Sequence, residues 1–102
     1  MPLPVLNDPA QSILGARRTT VATYAKLRMQ QDFNIPAESA DVVVNGLPFG
    51  NATIEGLNEH DATEFGKSLG YFAGRAYGAY NGKFGAAESA KLARREVENL
   101  FA

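Results

Sequence analysis

Residues 66–82 read Gly-Lys-Ser-Leu-Gly-Tyr-Phe-Ala-Gly-Arg-Ala-Tyr-Gly-Ala-Tyr-Asn-Gly, and this stretch decides how the rest of the chain is read. It holds five glycines, Gly66, Gly70, Gly74, Gly78 and Gly82, at a strict spacing of four. Ala62 precedes the row, and Ala86 and Ala90 continue it. Each glycine in a helix interior costs about 0.8–1 kcal/mol relative to alanine, so a helix carrying five gives up on the order of 4–5 kcal/mol. Removing a Cβ lets another backbone come close, which restores that energy as dense van der Waals contact. The row therefore predicts a surface of close contact. Four residues turn the helix by about 400°, so each step drifts about 40° around the axis and the row is a winding ridge. A single straight neighbour meets two or three of the glycines at most.

A row of this kind resembles a glycine-zipper segment, a motif class shared by unrelated membrane and assembly proteins. Five glycines winding in this way suggest more than one neighbour, such as several copies in a ring, tube or sheath, with Gly70, Gly74 and Gly78 expected at the contact and Tyr71, Tyr77, Lys67 and Arg75 at its margins. The alternative is that the glycines relieve crowding inside one chain, or that the segment is partly loop.

Outward from the row, the helix is expected to begin at Asp61, which can cap it with Glu64 three residues on in the manner of a capping box. No proline follows, so the helical pattern runs over about 61–100. A continuous helix of that length protrudes from a small domain; otherwise it breaks near Asn81-Gly82 or Gly85. A second face of the helix is apolar, through Ala62, Phe65, Leu69, Phe72, Ala73, Ala76, Tyr80 and Ala87, and is expected to meet the rest of the core.

Upstream, Ile13, Leu14, Val21, Tyr24, Ala25, Leu27 and Arg28 approximate helical spacing, predicting a first helix over about 10–33. Asn34-Ile35-Pro36 ends it, because proline disfavours helical geometry in the residue before it. Between the helices, Asp41–Asn45 and Ala52–Glu55 are short β-branched runs around a Gly46–Asn51 turn segment, which predicts a small β-hairpin or an extended connector. Pro2, Pro4 and Pro9 make residues 1–9 an extended arm that orders on a partner. The expected class is mainly α, with residues 10–102 as a single small helical domain.

Composition narrows function by exclusion. With 102 residues, ten basic and eleven acidic, the net charge of -1 gives no global pull toward nucleic acid or an anionic membrane. The charge is segregated, however: five acids and no Lys or Arg lie between Asp41 and Glu64, and six bases face three acids from Lys67 onward. The absence of cysteine removes disulfides, thiolate catalysis and cysteine-held metals. The start of the chain lacks a basic leader and a long apolar run, so a secretory precursor is not expected, and the cytoplasm or an assembled particle is. Lys67, Arg75 and Lys83 interrupt the only candidate membrane span.

Sites of chemistry are sparse. His60 is the only histidine, beside Asp61 at the expected helix start, where a capping or surface role outweighs that of a general base. Asp41, Glu55, Glu59, Asp61 and Glu64 lack the ligand spacing of a calcium loop. Gly66-Lys67-Ser68 imitates the end of a phosphate-binding loop, but Asp61 stands where that pattern requires glycine. No catalytic, cofactor or metal residue is assigned. Nucleic-acid binding rests on Arg17, Arg18, Lys67, Arg75, Lys83, Lys91, Arg94 and Arg95 with Tyr71, Tyr77 and Tyr80 interleaved; bases eight apart turn about 80° further each time and spiral around the helix. Insertion of an oligomer into a membrane is the third class, requiring those bases to face a watery lumen. The leading expectation is a non-enzymatic assembly subunit, either a homo-oligomer or a partner of other protein subunits in one assembly, a role that a virion or similar particle component would fit.

Overall fold

The computed structural model describes residues 9–47 and 54–101, with side chains from Gly15 onward. Four helices make up the described fold: α1 (Pro9–Phe33), α2 (Ala37–Val44), α3 (Glu59–Asn81) and α4 (Ala86–Asn99). The class is mainly α, and no strand occurs among the described residues.

The first helix stands where the periodicity puts it, with one adjustment. Pro9, assigned from sequence to the arm, is the first helical residue, a position where the missing amide hydrogen costs nothing. Residues 1–8 of the expected arm lie outside the described residues. At the other end Asn34 takes a left-handed conformation (φ 57°), one that asparagine tolerates better than most residues, and the Ile35 amide turns back to donate to the Met29 carbonyl at 3.2 Å. Pro36 then opens α2, its carbonyl accepting from Ser39 and Ala40 at 3.0 Å each.

The expected hairpin is corrected. Asp41–Val44 forms the second half of α2 and Asn45 is its C-cap, while residues 54–55 are helical and 52–53 lie outside the described residues. β-propensity favours a strand in Val42-Val43-Val44, but it is a weak preference. Val43 and Val44 are buried to 0% and 1% exposure on one face of α2. Burying each is worth about 1.5–3 kcal/mol, several times the helix penalty of a β-branched residue. Gly46, at φ 64°, makes the turn that follows.

The long second helix is broken, as the Asn81–Gly85 sequence allows. α3 ends at Asn81, residues 82–85 turn, and α4 begins after Gly85. Its start also differs: Asn58, not Asp61, is the N-cap, its Oδ1 accepting from the Asp61 amide at 2.7 Å. Glu59 and Asp61 then both sit in the first turn, where the helix dipole favours negative charge.

α1 and α3 run side by side in the same direction, since Val21 lies at Gly66, Ala25 at Gly70 and Phe33 at Gly74. α2 and α4 return antiparallel to them. Val21, Ala25 and Met29, four apart and fully buried, form the α1 side of the core, facing Ala62, Leu69 and Ala73 with the buried glycines. Ala90, Ala93 and Val97 of α4 close the core from the far side. Polar anchors pin the helices to one another. Arg17 pairs with Glu59 at 3.2 Å, and Lys26 pairs with Asp41 at 3.1 Å. Arg94 of α4 reaches across to the end of α2, its guanidinium donating to the carbonyls of Asn45 and, at 3.1 Å, Gly46.

Candidate helix-packing surface

The winding ridge is the candidate site, and the structure divides it into two parts. A Cβ added at Gly66 would stand 2.6 Å from the Val21 carbonyl oxygen, and one at Gly70 would stand 2.6 Å from that of Ala25 and 2.9 Å from its Cα. Those distances are below any real Cβ contact with backbone, so only glycine permits α1 and α3 to approach this closely. At Gly74 the obstacle to an added Cβ is the Phe33 ring, which lies directly over the position. These three glycines are buried, and their close contact is made within the chain. At Gly78 and Gly82 nothing among the described residues lies within 4 Å of an added Cβ, and both are exposed.

The division follows from helical geometry. A drift of about 40° per step carries the row from the face covered by α1 to open solvent within three or four steps. α1 ends at Phe33, so α3 continues past it with its ridge uncovered. One straight neighbour meets three glycines, the upper figure expected from the drift.

The residues placed at the margins of the row separate too. Tyr77 points into the core at 6% exposure, whereas Tyr71 is 44% exposed. Tyr71 is the centre of a cation–aromatic cluster. Its ring tilts against Phe33 at 5.8 Å, with the Arg28 guanidinium 5.1 Å and the Arg75 guanidinium 5.8 Å from its centroid. Arg75 also donates to the Tyr71 hydroxyl at 3.1 Å. Lys67 lies 6.0 Å from the Tyr24 ring centroid and pairs with Glu64 at 3.3 Å, while Arg28 pairs with Asp32. The cluster borders an open hollow of about 250 Å³ between α1 and α3, lined in part by Tyr24, Leu27 and Gln31.

On the opposite side of α3, the half-buried Tyr80 donates its hydroxyl proton to Glu96 at 2.9 Å. That hydrogen bond, with burial and the nearby Glu96 charge, holds the Tyr80 phenol above its ordinary range near 10. His60 is exposed in the first turn of α3. No group of three or more metal-capable side chains occurs among the described residues.

Two features of the helix packing were missed in the sequence. Met29 completes the Val21-Ala25 row, and its spacing of four, matched against the spacing of the glycines, was a readable signal that the two rows face each other. Arg94 carried no such signal, because its acceptors are carbonyls some fifty residues away that any sequence supplies. Compared with known protein families, curated proteins and solved structures, the chain finds no match in any of the three.

Proposed function

We propose that the chain is a non-enzymatic assembly subunit that joins a larger complex through the uncovered part of its glycine ridge, at Gly78 and Gly82, with Tyr71 and Arg75 beside it. One observation carries this reading: the same row supports backbone-close packing at Gly66 and Gly70, then continues bare for two further members with open space above them. Glycine at Gly78 costs about 1 kcal/mol of helix stability that no contact among the described residues offsets. A neighbouring helix lying on the ridge supplies the offset. A virion or similar particle is one setting in which such a subunit would work.

Nucleic-acid binding draws less support. Arg28, Lys67 and Arg75 do gather around Tyr24 and Tyr71, but Asp32 and Glu64 neutralise two of the three cations. Among the described residues no helix is long and apolar enough to cross a membrane.

The test is light scattering on the purified chain and on a Gly78→Leu/Gly82→Leu variant, with and without nucleic acid. The wild type is expected to form oligomers without nucleic acid, and the variant to be smaller while its helical content stays equal or rises. A wild-type monomer that gains mass only with DNA or RNA would overturn the reading in favour of nucleic-acid binding.

A further inference from the structure

A second surface lies away from the glycine ridge, where α2 and α4 run side by side in the same direction. Between them is an open groove of about 290 Å³, floored by Ala86, Ala87 and Ala90 and walled by Val42. Val42 is 47% exposed, although its neighbours Val43 and Val44 are buried. Glu38 on α2 and Lys91 on α4 border the groove, both exposed, and among the described residues neither is held in an ion pair.

The placement of these two charges identifies an occupant. Glu38 is in the first turn of α2, toward the N-terminal end of the groove. Lys91 lies more than one turn into α4, toward the other end. A two-fold axis through the groove exchanges its ends, bringing Glu38 of each copy to Lys91 of the other. The same operation brings the exposed Val42, which lies off the diagonal joining the two charges, against the Val42 of the other copy. A two-fold contact requires such a self-complementary patch. An apolar peptide without charges would cover the floor and leave both Glu38 and Lys91 unmatched.

We infer that the α2/α4 groove is the face on which two copies of this chain pair about a two-fold axis, held in register by reciprocal Glu38–Lys91 ion pairs around Val42. The inference deepens the assembly reading and rests on it, naming a second copy as one of the partners.

Charge reversal tests it. Glu38→Lys and Lys91→Glu, purified separately, each place like charges opposite one another, and each is expected to raise the concentration at which the pair dissociates by at least about tenfold. Mixed in equal amounts, the two variants set opposite charges against one another again at both contacts, so the mixture is expected to regain the mass of the wild-type pair. The Glu38→Lys/Lys91→Glu double variant should pair on its own. Circular dichroism of each variant separates loss of pairing from loss of fold, and the mixture provides a gain of mass that misfolding cannot produce. Single reversals that leave the wild-type mass unchanged would overturn the inference, as would a mixture that stays monomeric. If the wild type is oligomeric but indifferent to these charges, the groove assignment alone fails. A wild type that is monomeric at every concentration removes the assembly reading with it.

Discussion

The two parts of the glycine ridge have the same sequence pattern and opposite surroundings. Gly66 and Gly70 lie against the backbone of α1, where a single added carbon would strike a carbonyl oxygen, whereas Gly78 and Gly82 have no described residue over them. The difference shows that spacing encodes the capacity for close approach but not the identity of the neighbour that makes it. That identity depends on where α1 ends and on how fast the ridge turns away from it.

The sharpest way to break the comparison is a large side chain on the covered part. Gly70→Leu should cost about 3 kcal/mol or more, because the Ala25 carbonyl and Cα cannot yield without separating the helices. Denaturant unfolding reads that loss, and a variant of wild-type stability would refute the packing described for α1 and α3. Gly74→Ala is a milder probe. Its obstacle is a ring, which can rotate, so the cost should be smaller than for Gly70→Ala and should shrink further in a Phe33→Leu background. Equal costs at the two positions would mean that the Phe33 ring is as immovable as backbone.

The anchors between helices come next in size. Arg94→Met should lower stability by about 1–2 kcal/mol, since it removes charge-assisted hydrogen bonds to the end of α2. Amide exchange should quicken around Val43–Asn45 more than in α3. On the uncovered part the sign reverses: Gly78→Ala should raise the melting temperature of the isolated chain, a gain of up to about 1 kcal/mol, because nothing obstructs the methyl group. A loss of stability there would reveal a neighbour already seated on the ridge.

The smallest effect is a dependence on pH. The Tyr80 phenol is held above its ordinary value by Glu96. A raised value in the folded state means that its contribution is fully present below the unfolded value near 10 and is lost as pH rises through the folded one. Tyr80→Phe should therefore lower stability slightly at neutral pH, where the Glu96 hydrogen bond is intact, and flatten the alkaline limb of the unfolding curve, so that variant and wild type converge at high pH.

Much of the architecture was legible in the sequence because periodicity is local. The first helix, the proline that ends it, the long second helical run and its break near Asn81–Gly85 all rest on residues within a few turns of one another. The errors arose where tertiary packing outweighed local preference. Val42-Val43-Val44 favours a strand by propensity, and the burial of Val43 and Val44 makes it helix. Asn58 took the cap from Asp61 by a choice between neighbouring side chains that composition does not rank. The ridge was visible in full, but its division was not, since that depends on the position of Phe33 along α1. Tyr77, placed at the margin by its neighbourhood to the glycines, lies one ridge over, in the core.

The parallel alignment of α1 with α3 also governs the order in which this chain can fold as it is made. The partners of Val21 and Ala25 are residues 66–70, and the guanidinium that completes the end of α2 belongs to Arg94. The first half of the polypeptide thus leaves the ribosome with its apolar row uncovered and its second helix unfinished. Both are completed only by residues made later, so a product that stops before them exposes the apolar row that α3 covers.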